Sequence, residues 1–161
     1  MSELKLRPAV RGLMIDQRDR VLLVRLQFDD WTGWVLPGGG KEPGEDDDTA
    51  LRRELTEETG VPEVFKGPVV WVRRMTRRQG FGAWDGQEET VYLVPCHDFE
   101  VDPTMTADEL AEEGLVEHRW WSVEELAATT EVLRPAGLPG LVGEILEHGA
   151  PAEPPLFEDH T

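Results

Sequence analysis

The sequence predicts an α/β fold, an α/β/α sandwich around a mixed β-sheet, in a single domain. Short apolar runs rich in β-branched residues recur along the chain and end at Gly, Pro or Asp, as strands do. Segments with helical spacing of apolar residues and with capping residues lie between and after these runs. The 161 residues can bury one sizeable core, and no internal repeat or linker indicates a second domain.

The first half of the chain is predicted to be rich in strands. Residues 9–15 and 21–26 form a hairpin, because the polar turn 16–19 separates two apolar runs. A short strand at residues 34–36 runs into a glycine-rich turn at residues 37–39. We therefore expect a rigid sheet to fix the position of this turn.

A helix is predicted directly after the glycine-rich turn. Residues 46–49 (Asp-Asp-Asp-Thr) supply N-cap candidates. Leu51 and Leu55 give the helix an apolar stripe that can be buried. Gly60 ends it as the first residue beyond the helix, where a left-handed conformation is common.

The second half returns from strands to helices. Extended segments at residues 69–75 and 89–96 flank a loop or hairpin at residues 80–87. An acidic connector at residues 102–114 then leads into a last strand at residues 116–121.

Two helices are predicted to complete the domain, which spans residues 1–149. Ser122 begins the first of them, at residues 123–128, through a capping box. The second covers residues 138–147. Residues 150–161 are acidic and proline-rich, and we predict that they form a flexible tail.

Composition limits the location and the partners. A formal net charge of −17 argues against nucleic-acid binding, which needs basic surface. The single cysteine, Cys96, excludes an internal disulfide and suits a reducing cytoplasm. No apolar run approaches the ~20 residues of a membrane span, and the first residues lack the apolar core of a signal peptide. We therefore predict a cytoplasmic protein without membrane or nucleic-acid partners.

Four glutamates lie close to the glycine-rich turn. Glu54, Glu57 and Glu58 share one helix face, since they are three and four residues apart, and Glu45 precedes the helix. Each such pair of like charges costs about 0.2–0.5 kcal/mol in an isolated helix. A charge run is most often a solvated face, but the neighbouring glycines allow a ligand to approach closely. The carboxylates would suit the hard cations Mg²⁺ or Mn²⁺.

Residues 39–61 resemble the Nudix box, which reads G, five residues, E, seven residues, then R-E-U-x-E-E-x-G-U with U a bulky aliphatic. The match covers 23 residues and meets nine specified positions. These are Gly39, Glu45, Arg53, Glu54, Leu55, Glu57, Glu58, Gly60 and Val61. The α/β/α sandwich is also the fold that a resemblance to Nudix hydrolases implies.

The resemblance implies a Mg²⁺-dependent (or Mn²⁺-dependent) hydrolase of a phosphoanhydride bond in a nucleoside diphosphate linked to a moiety X. Water activated by metal attacks at phosphorus, without a covalent enzyme intermediate. The core metal ligands would be Glu54, Glu57 and Glu58. Gly38 would offer its carbonyl, and Glu45 would act in the second shell or on a third ion. Arg53 would orient the acids.

The general base is left open between two places. Glu57, inside the box, is adjacent to the predicted metal site and could take a proton from water. In parts of the family the base comes from a later loop instead. Glu109, Glu112 and Glu113 occupy the comparable place, and we name Glu113 as the catalytic candidate among them.

Substrate contacts are predicted from basic and aromatic residues. Arg73, Arg74, Arg77 and Arg78 form a basic cluster, and strand alternation lets only one of the first two face a cavity. Arg73 is the phosphate-binding candidate, and a solvated edge strand is the alternative. Trp31 and Trp84 lie in predicted loops and are candidates for stacking on a base.

Two alternatives to the leading function are kept. One is a house-cleaning hydrolase of oxidised or other nucleoside triphosphates. The other is a Nudix-like module that senses a nucleotide without cleaving it, although such modules usually have eroded boxes. The resemblance also allows a homodimer, since many relatives are dimers.

Overall fold

This computed structural model describes residues 3–160, except for the side chains of residues 77–81, 159 and 160. Within that part, strands and helices follow one another in a mixed order. The strands are β1 (Leu6–Ile15), β2 (Val21–Gln27), β3 (Thr32–Val35), β4 (Gly38–Gly40), β5 (Val69–Phe81), β6 (Trp84–Pro95), β7 (Leu115–Trp121), β8 (Leu133–Arg134) and β9 (Leu156–His160). The helices are α1 (Asp47–Thr59), α2 (Ala107–Glu112), α3 (Val123–Ala128) and α4 (Leu138–His148).

The strands form one mixed sheet in the order β8-β3-β2-β1-β6-β5-β9. Three pairs run parallel, namely β1 with β6, β3 with β8 and β5 with β9. β4 pairs with β1, and β7 pairs with β2, outside this path. The prediction of a mixed sheet is confirmed.

Helices cover both faces of the sheet. On one face, Leu51 and Leu55 of α1 pack against Val10 and Met14 of β1. On the other face, α3 and α4 close a larger core that contains Trp34, Trp71 and Trp121, which are among the largest fully buried side chains. This arrangement confirms the predicted sandwich.

β1 changes its neighbour along its length, and this change makes room for the glycines. β2 pairs with β1 at the end of the strand, where Ile15 lies opposite Val21. At the other end β4 takes the same side, with Arg11 opposite Gly38 and Ala9 opposite Gly40. The sequence predicted a turn at these glycines, and the structure has a short strand instead.

Gly38 explains why this close pairing is possible. Its φ is +144°, and a Cβ built on it would lie 2.2 Å from the carbonyl oxygen of Val10. A side chain at that distance would clash with the backbone of β1, so only glycine fits.

The helix ends agree with the predicted caps. The Asp46 side chain accepts a hydrogen bond of 2.8 Å from the backbone N–H of Thr49 at the start of α1. Gly60 ends α1 in the left-handed conformation, at φ 71°. Ser122 and Glu125 form the predicted capping box of α3. These caps define the residues at which α1 begins and ends and at which α3 begins.

The C-terminal segment differs from the prediction of a loose tail. Residues 156–160 form β9, which pairs in parallel with β5 from Val72 opposite Leu156 onward. Phe157 packs against the core that lies under α4. The prolines before this strand are irregular, as predicted. The pairing was missed because it depends on an edge strand more than seventy residues away in sequence.

Between residues 3 and 160, no helix is long and apolar enough to cross a membrane.

Candidate active site

Glu58 lies on the buried side of α1. It follows Leu51 and Leu55 at helical spacing, so the apolar stripe ends in a carboxylate that is only 5 % exposed. Glu58 Oε2 accepts a hydrogen bond of 2.6 Å from the backbone N–H of Gly38. The helix therefore places a buried acid directly against β4.

Burial changes the protonation of this acid. Desolvation raises the pKa of Glu58 to about 8, while the positive charge of Arg11 opposes the rise. The neighbouring charge of Glu54 raises it further. The charged form of Glu58 is thus costly here unless positive charge is brought nearby.

Glu54 packs on the next glycine of β4. A Cβ built on Gly39 would lie 2.8 Å from the carboxylate atoms of Glu54. Burial raises the pKa of Glu54 as well, although Arg53 favours the charged form. A side chain at position 39 would therefore displace the Glu54 carboxylate from the backbone of β4.

Arg53 connects the acids of the box to one another. Its Nε and Nη2 each lie 2.8 Å from one oxygen of Glu45, and Nη2 also donates to the carbonyl of Gly40 at 3.2 Å. Its Nη1 lies 3.0 Å from Glu54 and 3.4 Å from Glu57. Because one guanidinium contacts all three acids, Arg53 can orient them.

The paired Glu45 stays ionised. Hydrogen bonds from the Arg53 side chain lower the pKa of Glu45 to about 2. The same bonds raise the pKa of Arg53. Glu45 also accepts a hydrogen bond from the backbone N–H of Glu42 at 2.9 Å. Glu45, in the loop before α1, is thus paired with Arg53 of α1 and with the backbone of its own loop.

The donor chemistry fits a hard divalent cation. Buried Glu58 and half-buried Glu54, together with a glycine carbonyl, offer oxygen ligands, which Mg²⁺ and Mn²⁺ prefer. Among the side chains that the structure describes, no three of His, Cys, Asp or Glu already stand grouped around one cation position. The carboxylates are turned toward Arg53 and Gly38 instead.

A second, largely buried group of charged and polar side chains lies on strands β1, β5 and β6, and sequence reasoning missed it. Arg11 Nε donates to Glu89 Oε2 at 2.6 Å, and Arg73 Nη1 donates to Glu89 Oε1 at 3.2 Å. Gln87 Nε2 lies 3.0 Å from the same carboxylate. We call these four residues the Glu89 network. The sequence signal for this network was the presence of charged residues within predicted strands. It did not indicate which residues pair, because the partners come from different strands.

The base candidates occupy different environments. The Glu57 side chain is 37 % exposed and contacts Arg53. Glu113 follows α2 and is close enough to Glu58 to raise the pKa of Glu58. Glu109 instead accepts from the backbone N–H of Thr106 in a capping box. Glu112 is exposed at the last position of α2.

The substrate candidates are scattered. Arg73 is buried in the Glu89 network. Trp31 is half-buried, and its ring centroid lies 5.8 Å from that of Phe28. Trp84 is exposed at the start of β6, five residues before Glu89. Glu89 lies opposite Ala9 of β1, which in turn lies opposite Gly40 at the end of β4. The spacing from Trp84 to Glu89 corresponds to about 16 Å along a strand.

The other two arginines of the predicted basic cluster, Arg77 and Arg78, have side chains outside the described residues. Arg74 pairs with Glu88 at 2.7 Å on the outer part of the sheet.

His118 is a further contact to α1 that sequence reasoning did not assign to the site. Its Nε2 lies 2.6 Å from the backbone carbonyl of Glu58, and burial lowers the pKa of His118. The ring thus joins β7 to the last turn of α1.

Comparison with known proteins shows the family of the chain. The model of the NUDIX domain family matches residues 5–138. Nudix hydrolase 25 of Arabidopsis thaliana is 31 % identical over 131 residues, covering 74 % of this chain and 74 % of that protein. The nucleoside triphosphatase NudI of Salmonella newport is 41 % identical over 61 residues, covering 38 % of this chain and 43 % of that protein.

Solved structures show the same fold. A NUDIX hydrolase from Nitrosomonas europaea superimposes with a TM-score of 0.67 at 20 % identity, covering 91 % of this chain and 92 % of that one. The chain belongs to the Nudix hydrolase family, whose members act on nucleotides or nucleoside diphosphate derivatives and use divalent metal ions.

Proposed function

We propose that the protein is a Mg²⁺-dependent hydrolase that cleaves the phosphoanhydride bond of a nucleoside diphosphate linked to a moiety X, nucleoside triphosphates included. The observation that carries the proposal is the position of Glu54 and Glu58, two desolvated carboxylates held against the glycines of β4. Withdrawing two neighbouring acids from water, one fully and one partly, is costly unless a cation offsets their charge. Binding a divalent cation in an active site would explain why the two acids are placed there despite this cost.

The residues that would hold the cation are Glu54, Glu57 and Glu58, with the carbonyl of Gly38. When bound, a divalent cation polarises the phosphoryl oxygens, stabilises the departing phosphate and lowers the pKa of water. Arg53 keeps the acids oriented through its contacts with Glu54 and Glu57. Glu45 acts through Arg53, because both of its oxygens are paired with that guanidinium.

The reaction itself requires a base. Water attacks phosphorus, a new P–O bond forms, the bridging P–O bond breaks, and one proton passes to a carboxylate. Glu57 and Glu113 are the two candidates, since Glu57 is half-exposed beside Arg53 and Glu113 lies near Glu58. Glu109 fits the role less well because its side chain caps α2.

A pH–rate profile separates the two candidates. We expect that replacing the true base, in Glu57→Gln or Glu113→Gln, removes the acidic limb of kcat/KM, whereas the other variant keeps it. Glu109→Gln is the matched control, and the acidic limb of its pH–rate profile should remain. Loss of the limb in Glu109→Gln alone would contradict both assignments.

The substrate class is best approached through the nucleotide-cleaving relatives. The aligned segment of the Salmonella protein, named a nucleoside triphosphatase, makes triphosphates one candidate group. Nucleoside diphosphates linked to a sugar or to a second nucleoside form the other. Arg73, Trp31 and Trp84 remain the predicted substrate contacts, with Trp31 nearer the sheet core than Trp84.

The experiment is a panel of nucleotides assayed for release of phosphate, pyrophosphate and nucleoside monophosphate with Mg²⁺. Cleavage of a panel member, lost in Glu54→Gln and in Glu58→Gln, is the expected result. Tight binding of a nucleotide without any cleavage would contradict hydrolysis and favour a sensor. The cytoplasmic location, a homodimer and the absence of a nucleic-acid partner stay predictions.

A further inference from the structure

Gly38 is held from two directions. Its backbone N–H donates to Glu58 of α1 at 2.6 Å, and its carbonyl accepts from Arg11 Nη1 at 3.2 Å. The same Arg11 nitrogen donates to the carbonyl of Leu36 at 2.9 Å. A carbonyl oxygen has two lone pairs, and the bond from Arg11 uses only one of those on Gly38. Arg11 thus holds the backbone on both sides of Pro37.

Arg11 reaches these carbonyls from the sheet face opposite α1. Arg11 lies two residues before Leu13, and Glu89 lies two residues before Val91, so each shares a sheet face with a residue of the core under α4. The orientation of the β4 backbone toward α1 is therefore set by a side chain that lies on the other face.

Glu89 fixes the position of Arg11. The carboxylate is 4 % exposed and receives three donors, from Arg11, Arg73 and Gln87. Burial alone would raise the pKa of Glu89, but the charges of the two arginines outweigh it and lower that pKa. A buried guanidinium needs such a partner, because five donors in a fixed fork cannot be left unpaired.

We propose that Glu89 is a positioning residue of the active site. It holds the Arg11 guanidinium against the carbonyls of Leu36 and Gly38, and thereby keeps the Gly38 N–H aimed at Glu58. The Glu89 network thus aligns β4 with the acids of α1 without touching them. This role rests on the proposed function only as far as it concerns turnover.

The neighbouring strand residues supply a matched control. Glu88 pairs with Arg74 at 2.7 Å, in the same two strands and one residue away. Both side chains are about two-fifths exposed, at 38 % and 42 %. They point to the opposite face of the sheet, so Glu88→Gln removes one charge from the same strand without reaching Arg11.

The test compares Glu89→Gln, Arg11→Lys and Glu88→Gln by amide hydrogen exchange of metal-free, substrate-free protein. We expect the Gly38 N–H to exchange about tenfold faster or more in the first two variants. The Gly67 N–H, which bonds the carbonyl of Leu93 at 2.7 Å, reports intact folding and should not change. Should Glu89→Gln fail to fold, Arg11→Lys decides, because it keeps the charge next to Glu89 and loses only the fork.

Kinetics supply the second readout. On any nucleotide that the wild type cleaves, kcat should fall about 10- to 100-fold in Glu89→Gln and Arg11→Lys, with a smaller change in KM. Glu88→Gln should match the wild type. Unchanged Gly38 exchange in the folded variants, or equal acceleration in Glu88→Gln, would overturn the assignment. A wild type without any hydrolysis refutes the proposed function, whereas the exchange data still decide the role of Glu89.

Discussion

The backbone N–H of Gly38 lies 2.6 Å from Oε2 of Glu58, and this hydrogen bond joins β4 to the acidic end of α1. A buried carboxylate normally needs several donors or a positive charge. Here one backbone donor and the nearby Arg11 meet part of that need. The same relationship makes Gly38 the position where backbone conformation and site chemistry depend on each other.

Gly38→Ala is expected to damage both stability and activity. At φ +144° a methyl group would lie 2.2 Å from the carbonyl oxygen of Val10, so β4 must move away from β1. We expect a loss of roughly 1–3 kcal/mol in the free energy of unfolding, measured with urea. Gly143→Ala is the control, because open space surrounds that helical position. Wild-type stability in Gly38→Ala would show that β4 is not packed so closely.

Arg53→Lys is expected to lower turnover while leaving the fold intact. Lysine cannot reproduce the two 2.8 Å contacts to Glu45 or reach the other acids at the same time. We expect kcat to fall about 10- to 100-fold. Arg52→Lys, next in the chain, alters only an exposed pair with Asp48 and should keep full activity. Equal kcat in both variants would remove the orienting role of Arg53.

The environment of the Tyr92 hydroxyl is expected to make the free energy of unfolding fall at alkaline pH. Burial raises the pKa of Tyr92, and its hydroxyl donates to Asp47 at the start of α1. Because the unfolded chain loses this proton near pH 10 and the folded chain holds it, the stabilisation is complete below that pH and is lost above it. Urea unfolding between pH 8 and pH 11 should show wild type and Tyr92→Phe converging as pH rises. A constant difference would contradict the shift.

Phe157 tests whether the C-terminal strand belongs to the fold. It packs against the core under α4, whereas the adjacent Leu156 is 48 % exposed. We expect Phe157→Ala to lower the free energy of unfolding by about 1–3 kcal/mol, and Leu156→Ala by less than about 0.5 kcal/mol. Equal effects would indicate that β9 does not dock through Phe157.

Local sequence signals predicted α1 and the placement of its acids well. The cap at Asp46, the left-handed Gly60 and the spacing from Glu54 to Glu58 are all set within one helix, so the chain itself defines them. β4, β9 and the Glu89 network are different, because each depends on which strands become neighbours. The Arg11 to Glu89 contact joins residues 78 positions apart, and neither residue alone indicates the other.

We propose that Glu54, Glu57 and Glu58 lie together because a divalent cation offsets their charge. Titration calorimetry with Mn²⁺ and Mg²⁺ on wild type, Glu54→Gln and Asp48→Asn tests it most directly. We expect both ions to bind to wild type and to Asp48→Asn, with an affinity lower by about tenfold or more in Glu54→Gln. The proposal is contradicted if wild type takes up neither ion, or if Glu54→Gln binds them as tightly as wild type does.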